Sequence, residues 1–95
     1  MATVVLDGYT YVVIKRHYAA NGRKSVDALT DEPNVVATIN VPEVPLAPNE
    51  AIIKTYSENE GILEALVEAG VVRPTGRMAD IGGHIPPQPV VEVLI

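Results

Sequence analysis

Apolar residues along this chain recur in short runs, which glycine, proline and polar residues separate. Within most runs the apolar side chains alternate with polar ones or are β-branched, a pattern typical of β-strands. The runs that we predict to be strands are Thr3–Leu6, Tyr9–Tyr18, Lys24–Leu29, Val35–Val41, Ala51–Lys54, Arg77–Ile81 and Val90–Ile95. Because no repeat or linker divides them, we expect a single domain over residues 1–95.

The dipeptide Asp7-Gly8 joins the first two predicted strands. An Asp-Gly pair between two β-rich runs is typical of a two-residue hairpin, because a type I′ turn needs positive φ at both central positions. This turn predicts that Leu6 pairs with Tyr9 and that Val4 pairs with Tyr11.

One segment has the periodicity of an amphipathic helix, and we expect it to span about residues 58–69. Its apolar positions are Ile62, Leu66 and Ala69, with Leu63 and Val67 beside them. Ser57, followed three residues later by Glu60, matches a capping box, and Gly70 predicts a left-handed stop. The sequence therefore predicts an α+β domain, in which this helix packs on an antiparallel sheet of about five or six strands.

The polar face of the predicted helix carries only acids. Glu60, Glu64 and Glu68 follow one another every four residues with no lysine or arginine between them. Like charges at this spacing destabilise a helix by about 0.2–0.5 kcal/mol per pair. Two interpretations stay open: a solvated face of an acidic protein, or a docking stripe for a basic partner.

Charge and composition argue against several classes of function. The net charge of −5 disfavours direct binding to nucleic-acid phosphates, which usually needs a basic patch. The absence of cysteine excludes disulfides, thiolate metal sites and cysteine nucleophiles, and fits an intracellular location. No apolar stretch approaches the length of a membrane helix, and the N-terminus lacks the features of a secretory signal.

Basic and acidic residues are unevenly distributed along the chain. Four of the seven basic residues flank one predicted hairpin, and they are Lys15, Arg16, Arg23 and Lys24. Between Ser25 and Val72 the chain has nine acids and one base, Lys54. This distribution indicates a bipolar molecule, suited to self-association or to electrostatic capture of a partner.

No residue set predicts a catalytic or metal site. His17 and His84 lie far apart in sequence and have no acids at a spacing that would complete a metal site. Ser25 and Ser57 are the only serines, and Ser57 is accounted for by the predicted cap. We therefore predict no enzymatic activity, no cofactor and no metal.

The C-terminal run Val90–Ile95 is aliphatic except for Glu92. Such a strand on an exposed edge would invite aggregation. We expect it to pair in the centre of the sheet or across a homodimer.

Several motifs carry a resemblance to a known family. They are Asn40-Val41-Pro42-Glu43-Val44-Pro45-Leu46, Ile53-Lys54-Thr55-Tyr56-Ser57-Glu58-Asn59-Glu60-Gly61, Leu63-Glu64-Ala65-Leu66 and Ala69-Gly70-Val71-Val72. With these motifs the chain resembles small hypothetical proteins encoded by bacteriophages and mobile elements, best over Val35–Arg77. The resemblance implies no catalytic residue. It implies a non-enzymatic accessory protein that binds host machinery, as inhibitors of CRISPR effectors and of restriction enzymes do.

The leading hypothesis is thus a protein that binds and inhibits a host protein with a basic surface. The residues predicted to contact that partner are Tyr56, Glu58, Glu60, Glu64 and Glu68. Two alternatives remain: a homo-oligomeric structural protein that associates through Val90–Ile95, or a protein that binds a small nucleotide-like ligand. The phosphate contacts of the last alternative would be Lys54, Arg73 and Arg77.

Overall fold

The structure, a computed structural model, describes residues 2–6, 8–29, 35–56 and 59–95. Its eight strands and one helix are β1 Thr3–Leu6, β2 Tyr9–His17, β3 Lys24–Leu29, β4 Val35–Val36, β5 Thr38–Ile39, β6 Glu50–Ile53, α1 Ile62–Glu68, β7 Val72–Ala79 and β8 Gln88–Val93. The domain is α+β, as the sequence predicts.

The strands form two antiparallel sheets of four strands each, whereas the sequence predicts one sheet of about five or six. The order is β1-β2-β3-β4 in the first sheet and β5-β6-β8-β7 in the second. In the first hairpin Leu6 pairs with Tyr9 and Val4 with Tyr11, so the predicted register is confirmed.

The two sheets separate at Ala37, inside the run that the sequence predicts as one strand. Its N–H donates to the Val26 carbonyl of the first sheet at 2.9 Å, and its carbonyl accepts the Lys54 N–H beside the second sheet at 2.8 Å. The buried Thr38 hydroxyl accepts the Val26 N–H at 3.2 Å, just beyond the last pair of the ladder between β3 and β4. The same hydroxyl lies 2.9 Å from the Tyr18 hydroxyl. β-formers flank Ala37 on both sides, so propensity does not reveal the change of partner.

The main hydrophobic core lies between the two sheets. It draws Val4, Tyr11 and Val26 from the first sheet and Ile53 and Val91 from the second. The helix α1 packs against β1 and β7 and adds Ile62 and Leu66 to this core. The helix therefore lies along the side of the domain that is formed by β1 and β7, which are edge strands of the two sheets.

The second sheet is covered on its other face as well. Ile52, Ala79 and Val90 form a smaller cluster there, against Val41, Val44 and Leu46 of the proline-rich segment. The Arg23 guanidinium holds this segment by donating to the carbonyls of Val41 at 3.0 Å and Val44 at 2.6 Å. One charge of the predicted basic hairpin thus has a structural role.

The aliphatic C-terminal strand lies inside the second sheet. β8 pairs with β6 on one side and with β7 on the other, and Val90, Val91 and Val93 are buried. The prediction that it pairs centrally is confirmed. Self-association through Val90–Ile95 loses its basis, because both edges of the strand are occupied and only Leu94 and Ile95 remain exposed.

The helix begins later than the sequence predicts. Its N-cap is Gly61, which has φ of 87° and ψ of −5° and makes no side-chain cap hydrogen bond, so the predicted capping box is wrong. Ser57 lies outside the described residues, and Glu60 precedes the helix. The left-handed conformation of Gly61 is costly for any residue with a Cβ, and a Cβ there would lie 3.4 Å from Leu6 Cδ1.

The C-terminal end of the helix agrees with the prediction. Gly70 has φ of 74°, its N–H donates to the Val67 carbonyl, and the Val71 N–H donates to the Leu66 carbonyl. These two bonds form a Schellman motif. Ala69 and Val67 are exposed, however, so the buried face is narrower than the sequence predicts.

The run after the helix is one strand with a bulge, and it begins earlier than the predicted strand Arg77–Ile81. In β7, Pro74 lies opposite Val91 and Met78 lies opposite Pro89, so the residues between them bulge from the ladder. The Thr75 hydroxyl donates to the Val90 carbonyl at 2.8 Å, which the bulge would otherwise leave without a partner.

Candidate functional site

An open groove of about 380 Å³ runs between the turn before α1 and the proline-rich approach to β8. Glu60 and Glu64 line it on the helix side, and Met78, Pro87 and Pro89 line it on the other side. Thr55, Gly61 and Leu63 complete the lining. Met78 is 59% exposed, a large value for an apolar side chain, so the groove is both acidic and apolar.

Glu60 and Glu64 are exposed, and none of the ion pairs between described residues involves either of them. Glu68 is exposed as well but lines a different groove, between α1 and β1. The structure therefore divides the predicted acidic stripe between two surfaces. Because Glu60 lies outside the helix, its distance from Glu64 is not set by helical spacing.

A buried glutamine joins the two sides of this groove. Gln88 is 2% exposed, and its Oε1 accepts the N–H of Thr55 at 2.8 Å and the Thr55 hydroxyl at 2.7 Å. Its Nε2 donates to the Pro86 carbonyl at 2.8 Å. The side chain thus ties the segment that leads to Glu60 to the proline segment on the opposite wall.

The corner before the helix is anchored by Asn59, which is fully buried. Its Nδ2 donates to the Val36 carbonyl at 2.7 Å, and its N–H donates to the Tyr56 carbonyl at 3.2 Å. No donor among the described residues reaches its Oδ1. The bond to Tyr56 is a local turn bond, whereas the bond to Val36 is tertiary and draws the segment away from the helical path that its sequence favours.

The two remaining residues of the predicted partner surface are Tyr56 and Glu58. Tyr56 is half-buried, and the Lys54 ammonium lies 5.2 Å from the centre of its ring, within cation–π distance. Glu58 lies outside the described residues. The structure therefore brings Glu60 and Glu64 to one groove without showing how Glu58 relates to it.

The two arginines predicted to bind a phosphate are paired with carboxylates of the protein. Arg73 Nη2 lies 2.6 Å from Glu92 Oε1, and Arg77 forms an ion pair with Glu50. An anionic ligand would have to displace these carboxylates. The Arg16 guanidinium likewise lies 3.9 Å from Asp27, which reduces the free charge of the basic hairpin.

Glu50 has a role in stability rather than in binding. Its carboxylate accepts the Ala47 N–H at 2.9 Å and pairs with Arg77, and both interactions lower its pKa, the first by more. The charged form is therefore favoured in the folded protein. The resulting stabilisation is present above the unfolded-state pKa and is lost as the pH falls through the folded-state pKa.

We expect Glu50→Gln to reduce the loss of unfolding free energy that the wild-type protein shows as the pH falls. At pH 7 the variant should be less stable than wild type by under about 1 kcal/mol, because solvent weakens exposed pairs, and this gap should close toward pH 3. Urea unfolding at several pH values measures it. Glu43→Gln, which also removes one exposed charge, is the control; a gap that stays constant with pH would contradict the assignment.

Among the described residues, no three histidine, aspartate or glutamate side chains converge to hold a metal ion. No helix in the described part of the chain is long and apolar enough to cross a membrane.

Three residues that line the groove, and the glutamine that supports it, have no part in the predicted site. Met78 lies in the predicted strand Arg77–Ile81, and Pro87, Gln88 and Pro89 lie between that run and Val90–Ile95. The one available signal is the glutamine itself, a polar residue between prolines just before an aliphatic strand. Its partner, Thr55, lies 33 residues away, so only the fold identifies the pair.

Comparisons with protein-family models, with curated proteins and with solved structures find no match to this chain.

Proposed function

We propose that this chain is a non-enzymatic binding protein that holds a basic segment of a partner protein in the groove between Glu60, Glu64 and Met78. The observation that carries the proposal is the pairing of unneutralised carboxylates with exposed apolar surface in one open groove. Elsewhere among the described residues, Arg73 and Arg77 have carboxylate partners of their own.

The groove suits lysine and arginine side chains in particular. Such a side chain has an apolar stem and a charged end. Its stem would lie on Met78 and Pro87, and its charged end would reach Glu60 or Glu64. The groove is open rather than enclosed, so it fits a segment on a protein surface better than a small molecule buried on all sides.

A basic surface of this kind often holds nucleic-acid phosphates in its own protein. The carboxylates of this chain would then compete with phosphate for the same lysines and arginines. We therefore propose a host protein that handles nucleic acid, such as a CRISPR effector or a restriction enzyme, as the partner. This step rests on the resemblance to phage and mobile-element proteins, and it places the protein in the host cytoplasm.

The nucleotide-binding alternative has less support. Its three cations would have to gather around one phosphate, but two of them already hold carboxylates, at Glu50 and Glu92. Breaking both pairs would cost part of the binding free energy. The groove lined by Glu60 and Glu64 is acidic and would repel a phosphate.

We expect the double variant Glu60→Lys, Glu64→Lys to lose its partner. Capture with the immobilised wild-type chain from a bacterial lysate, followed by mass spectrometry, supplies the candidates. For a protein retained by wild type, the variant should bind at least about tenfold more weakly, because two attractions become repulsions. Binding by wild type should also weaken with added salt.

The matched control is Glu43→Lys, Glu68→Lys, which changes the net charge equally but leaves this groove intact. It should retain the partner. Equal loss of binding in both double variants would show that overall charge is responsible rather than the groove. Melting curves of all three proteins should agree closely, since every substituted side chain is exposed.

A further inference from the structure

The edges of the two sheets differ in how well they are protected against pairing with another chain. On β7, Pro74, the bulge at Thr75 and two arginines interrupt a regular ladder. The β4 strand has two described residues, and Asn59 donates to its Val36 carbonyl. At β5, also two residues long, the Thr38 hydroxyl accepts the Val26 N–H of β3. Prolines, bulges, charges and short lengths are the usual means of blocking an edge.

At four residues, β1 is longer than β4 and β5, and its edge has none of the other features. Its sequence is Thr-Val-Val-Leu, without charge, proline or bulge, and it pairs with β2 in regular register over its whole length. Val5 is 64% exposed. A groove of about 210 Å³ lies between this strand and the helix, lined by Thr3, Val4 and Val5 on one side and by Ala65, Glu68 and Ala69 on the other.

The backbone groups of two residues face this open edge. The Val13 N–H donates to the Ala2 carbonyl at 2.9 Å, so Ala2 and, by alternation, Val4 and Leu6 bond toward β2. The N–H and carbonyl groups of Thr3 and Val5 therefore point away from β2. No hydrogen bond between described residues uses them.

We propose that β1 pairs antiparallel with β1 of a second copy of this chain, about a twofold axis at Val4. In that register each Thr3 lies opposite Val5 of the other copy, and all outward N–H and carbonyl groups meet their counterparts. The two copies would then exchange four backbone hydrogen bonds and join their first sheets into one. This proposal does not depend on the acidic groove.

Two features of β1 favour a second copy over a foreign strand. Thr3 and Val5 are β-branched and exposed on the same face, so the twofold register places β-branched side chains directly opposite each other. The strand itself carries no charge that would select a foreign sequence. Pairing also moves the exposed Val5 into contact with the partner copy.

The association should be weak and should strengthen with salt. A four-residue strand gives a small interface, so we expect a dissociation constant on the order of 100 μM to 1 mM. Each copy carries a net charge of −5, and Glu68 lies beside the edge, so repulsion opposes pairing at low salt. The acidic groove has the opposite salt dependence, which separates the two proposals.

Sedimentation equilibrium of the full chain up to millimolar concentration, at low and high NaCl, tests this proposal. Wild type should dimerise, at least about threefold more tightly in high salt. Val5→Pro removes an outward N–H without touching the bonds to β2, and proline is tolerated at such edge positions. It should weaken dimerisation at least about tenfold. Val5→Thr keeps the N–H and should dimerise nearly as wild type does.

Amide hydrogen exchange of the wild-type chain gives a second measurement that needs no variant. The amides of Thr3 and Val5 should become protected as the concentration rises, while other edge amides should not. A strict monomer at every concentration and salt would overturn the proposal. So would dimers that Val5→Pro leaves unchanged, or protection that rises elsewhere but not at these two amides.

Discussion

Asn59→Asp should lower the free energy of unfolding by roughly 4 kcal/mol or more at pH 7. The substitution keeps the shape of the side chain but places a carboxylate against the Val36 carbonyl, where the amide donates at 2.7 Å. The site is fully buried, and no donor among the described residues reaches the remaining oxygen. Burial of an unpaired carboxyl raises its pKa by about 3–5 units, each worth about 1.4 kcal/mol.

The pH dependence of this variant has a definite sign. Because the folded-state pKa of the new carboxyl is raised, the variant is most stable below the unfolded-state pKa of about 3.9. Its stability relative to wild type should fall as the pH rises above that value, until the folded-state pKa is reached. Urea unfolding from about pH 3.5 to about pH 8 measures the effect, because a buried carboxyl with a raised pKa would ionise within this range.

Asn40→Asp is the matched control for Asn59→Asp. Among the described residues, the Asn40 amide bonds to the exposed side chain of Asn21. We expect its change in stability to be within about 0.5 kcal/mol. An equally small, pH-independent effect at Asn59 would contradict the burial and the contact with Val36.

Gln88→Leu should destabilise the domain by roughly 2–4 kcal/mol and should also weaken partner binding. Leucine is similar in size, but it leaves the Thr55 N–H and the Pro86 carbonyl without their partners. Each polar group left unsatisfied in a buried site costs about 1–3 kcal/mol. The groove walls would no longer be joined, so Glu60 and Pro87 would lose their fixed separation.

Thermal unfolding and binding to the captured partner are the two measurements for Gln88→Leu. Asn21→Ala, which removes an amide from an exposed hydrogen bond, should change stability by less than about 0.5 kcal/mol. A stable Gln88→Leu protein would show that these bonds matter little. A destabilised protein with unchanged partner binding would instead separate the glutamine from the groove.

Local features of this fold were predictable from the residues nearby. The first hairpin and its register follow from Asp7-Gly8, and the stop of the helix follows from Gly70. Val90–Val93 is central because an aliphatic strand is poorly tolerated at an edge. Each of these depends on contacts between neighbours in sequence or on simple burial.

The start of the helix was not predictable in this way. Ser57 and Glu60 match a capping box, yet the helix begins after Gly61. The bond from Asn59 to Val36, together with the left-handed Gly61, outweighs the local preference for helix. Val36 lies 23 residues from Asn59, and no sequence pattern links the two residues.

The candidate site was predictable only in part. Glu60 and Glu64 stand out in the sequence because no cation accompanies them. Their separation from Glu68, and their position opposite Met78, depend on where α1 rests between the sheets. The pairing of Arg73 with Glu92 depends equally on the register of β7 with β8.

The sequence by itself determined the class of the domain, most strands, the first hairpin and the acidic character of the helix, because alternation, turn chemistry and charge act over a few residues. Tertiary structure alone decided the division into two sheets at Ala37, the start of the helix and the composition of the groove. Those outcomes depend on hydrogen bonds and packing between residues far apart in the chain, which compete with local preferences and, at these places, exceed them.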